Sequence, residues 1–147
     1  MKKRDLNLKS KLVNTIMRSG NKGTGEKMII KSIKLLQKST NKKHVNLIKL
    51  AIINSTPTFR VTQQAKKRGK RKSIVEVPTF INSDILRVTN SLKLITTNSK
   101  RRGNSFYKNM SNEILEASSF KGKSIEKKTE LQKSVLINKK ILFKFRW

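Results

Sequence analysis

The sequence contains no cysteine, one histidine, two prolines and only eight acidic residues among 147. Without cysteine there is no disulfide and no thiolate metal site, and His44 has no second imidazole with which to share a metal. The expectation is a protein with no metal and no cofactor. Aromatics are scarce too, six Phe, one Tyr and one Trp, and Phe106, Tyr107 and Phe120 suit helix packing better than a base-stacking platform. No uncharged apolar run approaches the roughly 18 residues that span a bilayer. The opening Met1-Lys2-Lys3-Arg4-Asp5 is not followed by the apolar stretch of a secretory signal, so a soluble, non-exported protein is expected.

The acids are too few and too scattered for catalysis. None of Asp5, Glu26, Glu76, Asp84, Glu113, Glu116, Glu126 and Glu130 forms a pair patterned for acid–base work, and no enzyme is expected. Glu113 and Glu116, three apart on one helix face, read as surface partners for lysine. Gly20 and Gly25 have the glycine spacing of a nucleotide phosphate loop, but Glu26-Lys27 follows where Lys and then Ser or Thr would be needed. That stretch reads instead as a flexible turn that sets Lys22 against phosphate. His44 opens a lysine-rich helix and reads as an exposed residue or an RNA contact.

What the chain has in excess is positive charge: 36 Lys and Arg against those eight acids, a net +28. A folded domain with that much like charge repels itself, so a polyanion, here nucleic acid, is expected to supply the counter-charge. Hydrophobic residues reach 35%, below the roughly 45–50% of ordinary globular chains, yet Leu, Ile and Val recur in clusters throughout. A small core inside a basic surface is expected, as one domain over 1–147. Heavy use of Lys, Asn and Ile fits AT-rich codons, as in an organelle genome.

Periodicity predicts about six helices. Leu8, Leu12, Val13, Ile16 and Met17 step by three and four, and the Gly20–Gly25 run ends that helix. Ile29, Ile33 and Leu36 line a second, and Val45, Ile48 and Ile52 a third over about 42–54. Ile85, Val88, Leu92 and Ile95 mark a fourth with Asn82 or Ser83 as N-cap; Phe106, Met110, Ile114 and Ala117 mark a fifth after Asn104-Ser105. Leu131, Val135, Asn138 and Leu142 mark a sixth. Between the third and fourth, Thr58–Thr62 and Val75–Val77 alternate with β-branched residues and predict a β-hairpin over about 58–78. Its connection holds Lys66, Lys67, Arg68, Lys70, Arg71 and Lys72, expected to be a solvated or nucleic-acid-bound loop. Such a run reads phosphate rather than sequence, and it also matches a nuclear localisation signal.

The order of these motifs resembles small-subunit ribosomal protein seven of bacterial and organellar type. The resemblance runs over about 10–147. It rests on Val13–Gly20, Ala51–Pro57, Val75-Glu76-Val77-Pro78, Arg101-Arg102-Gly103, Asn112–Ala117, Lys121-Gly122-Lys123, Lys127-Lys128 with Glu130, and the closing Arg146-Trp147. It implies a mainly α protein, a bundle of about six helices with one protruding β-hairpin. It implies binding to the 3′ major domain of small-subunit rRNA, nucleation of head assembly, and a place near exit-site tRNA and the mRNA exit channel. Other head and platform proteins are the implied neighbours. The implied rRNA contacts are Lys2, Lys3 and Arg4 of a basic arm (about 1–7), Lys66–Lys72 of the hairpin, and Lys22, Arg101, Arg102, Lys127 and Lys128 in helix-linking basic turns. Arg146 and Trp147 would lie near a neighbouring protein and mRNA, Trp147 packing on its own domain or on that partner.

Departures from the family pattern qualify this. Thr62-Gln63-Gln64-Ala65 stands where the family has an arginine- and glycine-rich strand motif, and Leu94 stands near the place of a family Trp. With the codon bias, this divergence points to a mitochondrial, organelle-encoded form. The rival reading from charge alone is a free-standing basic protein that packages DNA. A membrane-binding cationic protein fits less well, because the cations are spread over all faces and loops.

Overall fold

The computed structural model describes residues 8–40, 43–68, 71–100 and 105–137, without the side chains of residues 64, 66–68, 71–73 and 75. Among these are six helices and one antiparallel hairpin: α1 (Leu8–Ile16), α2 (Lys22–Ser39), α3 (His44–Ser55), β1 (Phe59–Arg68), β2 (Arg71–Phe80), α4 (Asp84–Ser99), α5 (Phe106–Ser118) and α6 (Lys123–Ile137). The fold is mainly α, with the hairpin between the third and fourth helices as expected.

α5 is the hub, packing on α2, α3, α4 and α6. The core joins Leu12, Val13 and Ile16 of α1 to Ile29 and Leu36 of α2, Ala51 and Ile52 of α3, Leu92 and Ile95 of α4, and Met110, Ile114 and Ala117 of α5. These are the apolar positions that recur every three or four residues, so each helix turns one stripe inward. Small polar residues let α3 and α4 approach closely. The Ser55 and Ser91 hydroxyls lie 2.6 Å apart, and Ser91 donates to the Ile52 carbonyl at 3.1 Å. Among the described residues every buried side-chain N or O atom has a partner, and no helix is long and apolar enough to cross a membrane.

The hairpin is rooted in the bundle. The Phe59 and Phe80 rings pack edge to face at 5.7 Å, and the Arg87 guanidinium lies 5.0 Å from the Phe80 centroid. Arg87 Nε donates to the Ile81 carbonyl at 2.7 Å, which ties the end of β2 to α4.

Several expectations change. The glycine run is only partly a turn: Ser19 and Gly20 take φ of 49° and 75°, but α2 starts at Lys22 and includes Gly23 and Gly25. Asn21 initiates it, accepting from the Thr24 amide at 3.3 Å, so the donor shortage of a helix start is met locally. In α3 the buried stripe runs through Leu47, Ala51 and Ile52, while Val45 is exposed. Phe120 is exposed in a left-handed turn (φ 57°) instead of packing inward. Ser83 is the N-cap of α4, with no side-chain cap bond. α6 begins at Lys123, eight residues before Leu131, where its apolar stripe was expected to start; Asn138 and Leu142 lie outside the described residues.

Candidate nucleic-acid interface

The expected basic loop is largely strand. β1 continues to Arg68 and β2 starts at Arg71, with Lys66 opposite Ser73, Lys67 opposite Lys72 and Arg68 opposite Arg71. The backbone ladder overrides the like-charge repulsion that argued for a loop, because each added pair satisfies main-chain donors and acceptors. The basic run is therefore the end of a two-stranded ribbon. Lys70 lies outside the described residues, as do Lys2, Lys3, Arg4, Arg101, Arg102, Arg146 and Trp147.

At the ribbon's root an open groove of about 330 Å³ runs between β1, α4 and α6. Phe59, Val61, Leu94 and Leu131 supply apolar lining; Arg60, Lys93 and Lys127 bring one exposed cation from each of the three elements. Arg60 Nε donates to the Thr79 hydroxyl at 3.2 Å, which orients its guanidinium across the ribbon. An apolar lining with cations around it can take up ribose and base surface while the cations meet phosphate. Leu94, the residue near the family's Trp, is part of that lining.

A second groove, about 290 Å³, lies where the end of α1 and start of α2 meet the end of α4 and start of α5. Arg18 and Lys100 line it together with Ile16, Met28 and Phe106. It brings the segment that links α1 to α2 against the end of α4. Lys22 stands apart from this lining: it is 65% exposed and 4.0 Å from Glu26 across one turn of α2.

Lys127 and Lys128 sit within α6, not in a turn, and their duties diverge. Lys127 is exposed in the first groove, whereas Lys128 is half-buried and donates to the Asn54 carbonyl at 2.6 Å. Burial pushes its pKa below the usual lysine value. Glu113 is buried rather than a surface partner for lysine: its Oε1 accepts from the Ser124 amide at 2.8 Å and hydroxyl at 2.6 Å. His44 is half-buried, its Nδ1 3.1 Å from Gln37 Nε2.

Arg18, Arg60 and Lys93 escaped notice in the sequence because each is an isolated cation, whereas Lys100 directly precedes the Arg101-Arg102 run. Dense runs stand out in a sequence; single cations from distant segments become a cluster only when the helices pack. The fold and these grooves define a basic helical protein whose surface charge calls for a polyanionic partner. The chain belongs to the ribosomal protein S7 family: the model described as Ribosomal protein S7p/S5e matches residues 2–139. It is 29% identical over 134 residues to the small ribosomal subunit protein uS7c of Bigelowiella natans, covering 89% of this chain and 81% of that one. It is 28% identical over 132 residues to the small ribosomal subunit protein uS7 of Malacoplasma penetrans, covering 90% and 83%. A third relative, uS7 of Aliivibrio salmonicida, is 28% identical over 141 residues, covering 95% and 86%.

Proposed function

We propose that the protein is a structural, non-catalytic constituent of the mitochondrial small ribosomal subunit, folded as one rRNA-binding domain over 1–147. It binds the 3′ major domain of small-subunit rRNA, helps nucleate head assembly, and lies near exit-site tRNA and the mRNA exit channel beside other head and platform proteins. The observation that carries this reading is the convergence of Arg60, Lys93 and Lys127 from three elements on one apolar-lined groove, in a chain of net +28 that belongs to the S7 family. Lysines and arginines so arranged read RNA by backbone and shape, as is usual for double-stranded RNA.

The ribbon residues Lys66, Lys67, Arg68, Lys70, Arg71 and Lys72 extend the same contact. The arm residues Lys2, Lys3 and Arg4, the turn residues Lys22, Arg101 and Arg102, and Lys127 add further phosphate contacts. Lys128 supports the surface from beneath by holding α6 to α3. Arg146 and Trp147 meet a neighbouring protein or mRNA. The mitochondrial assignment is supported by the Lys, Asn and Ile bias of the sequence.

Competition binding at fixed salt tests the reading. The purified chain should prefer three-way junctions of its own small-subunit rRNA to duplex DNA of equal length. Equal affinity would favour the DNA-packaging alternative. In a gradient of mitochondrial lysate the chain should travel with the small subunit, and a mainly free pool would count against the assignment.

A further inference from the structure

α2 carries a cationic surface that neither groove uses. Lys27, Lys31, Lys34 and Lys38 recur at i, i+4, i+7 and i+11, and all four are exposed. At 3.6 residues per turn they fall within an arc of about 60°, and at a rise of about 1.5 Å per residue they form a straight ridge about 16 Å long. Gly25, Ile29, Ser32 and Leu36, the buried residues of α2, occupy the opposite side, which packs on α1, α3 and α5. The ridge therefore points directly away from the core.

An ordinary solvated face mixes charges of both signs. This one does not. Glu26, the one acid of α2, pairs with Lys22, and among the described residues none of the four ridge lysines has a carboxylate partner. Lys31 rests 5.8 Å from the Tyr107 ring, which steadies its stem without neutralising its charge. Each neighbouring pair along the ridge (27 and 31, 31 and 34, 34 and 38) is a like-charge contact that opposes helix formation. Among the described residues no carboxylate relieves this repulsion.

We propose that the α2 ridge is a second RNA-backbone contact, separate from the β1–α4–α6 groove, so that the protein holds two RNA segments at once. The proposal rests on the RNA-binding reading above. The ridge has the length of roughly five phosphates of one strand at about 3.4 Å of axis per charge. Its exposed groups are four ammoniums, which pair with phosphate and carry no base-specific pattern. α5 packs on both α2 and α4 and so links the ridge to the groove through the centre of the bundle.

The test compares three full-length proteins on a transcript of the 3′ major domain: wild type, a ridge variant (Lys27→Gln, Lys31→Gln, Lys34→Gln, Lys38→Gln), and a control with four scattered exposed lysines changed (Lys9→Gln, Lys49→Gln, Lys108→Gln, Lys133→Gln). Glutamine keeps helix propensity close to that of lysine, and circular dichroism checks helix content. The ridge variant should lower the slope of log K against log salt by about 3, at about 0.7–0.9 per phosphate contact. It should also lose one protected segment in a hydroxyl-radical footprint while keeping the segment at the groove. The control should keep both segments. A ridge variant with the control's slope and the full footprint would overturn the proposal and leave the groove reading standing. A full footprint with weakened binding of another small-subunit protein would overturn it in favour of an acidic protein partner. A wild-type protein that protects no part of the transcript would overturn both readings.

Discussion

The ammonium of Lys128 lies 2.6 Å from the Asn54 carbonyl, while the Asn54 side-chain amide donates to the Ala117 and Ser118 carbonyls at 3.0 and 3.2 Å. Two residues thus join α6 to the C-terminal ends of α3 and α5. Carbonyls at a helix end lack intrahelical partners and carry the negative end of the dipole, so a cation and an amide are apt donors there.

Replacing Lys128 with Gln should destabilise the fold by about 1 kcal/mol, the scale of one net hydrogen bond, because Gln is too short to reach Asn54. RNA affinity should change little. The pH dependence has a definite sign. Burial lowers the native pKa of Lys128 below its ordinary 10.5, so the unfolded chain binds the proton more tightly. The desolvation cost is fully present below the native value and is relieved as pH rises from there towards 10.5. Wild type should therefore gain stability over the variant across that alkaline window, as read by urea melts at stepped pH. A constant gap would contradict the assignment.

Glu113 offers a second structural test. Its carboxylate accepts two bonds from Ser124 at the first turn of α6, and Asn98 Nδ2 donates to the same Ser124 hydroxyl at 3.1 Å. Glu113→Ala leaves these buried donors unmet and should cost about 2–3 kcal/mol, whereas Glu113→Gln keeps an acceptor oxygen and should cost less. Equal costs in denaturant melts would show that the hydrogen bonds contribute little. The adjoining Gly122 has φ 94°, and a Cβ there would lie 2.9 Å from the Glu116 side chain, so Gly122→Ala should weaken the same joint.

The division between what was legible and what was not follows from the range of each interaction. Helix positions and inward stripes such as Met110–Ile114–Ala117 depend on neighbours three or four residues away, and the sequence displays them directly. The hairpin and its span were visible through its alternation, but the length of its paired strands was not, since local charge argued for a loop at Lys66–Lys72 while the ladder continues to the Arg68–Arg71 pair. Lys128 and Glu113 read as surface residues because burial depends on elements 74 and 11 positions away. The groove cations Arg60 and Lys93 carried no signal until α4 and β1 were brought together.

For that groove, changing Arg60, Lys93 and Lys127 singly to Gln should weaken RNA binding and reduce the salt slope by about 1 each, with nearly uniform effects across RNA sequences. Thermal stability should hold, because all three are exposed. Changing Leu94 to Trp should tighten binding if RNA bases meet the apolar lining, by about 1–3 kcal/mol per stacked base. Fluorescence titration of that variant against the wild type, whose single Trp is Trp147, would report the contact, and equal emission changes on saturation would show that RNA bypasses the groove.

The ribbon end gives the last prediction, which depends on register alone. Lys67 opposite Lys72 and Arg68 opposite Arg71 set like charges directly across the ladder, an arrangement that destabilises an isolated hairpin. In the free protein, salt should therefore stabilise this part of the ribbon by screening, while the same salt weakens RNA binding. Neutralising Lys66, Lys67, Arg68, Lys70, Arg71 and Lys72 to Ser or Gln should slow amide hydrogen exchange in β1 and β2 and remove most of their salt response. The helices should exchange as before, because the Phe59–Phe80 contact and Arg87 anchor the ribbon at its other end. Faster exchange in the neutralised ribbon would mean that these cations support the hairpin instead of straining it. The two salt effects would then share a sign, and counter-charge from RNA would no longer account for the concentration of cations at this end.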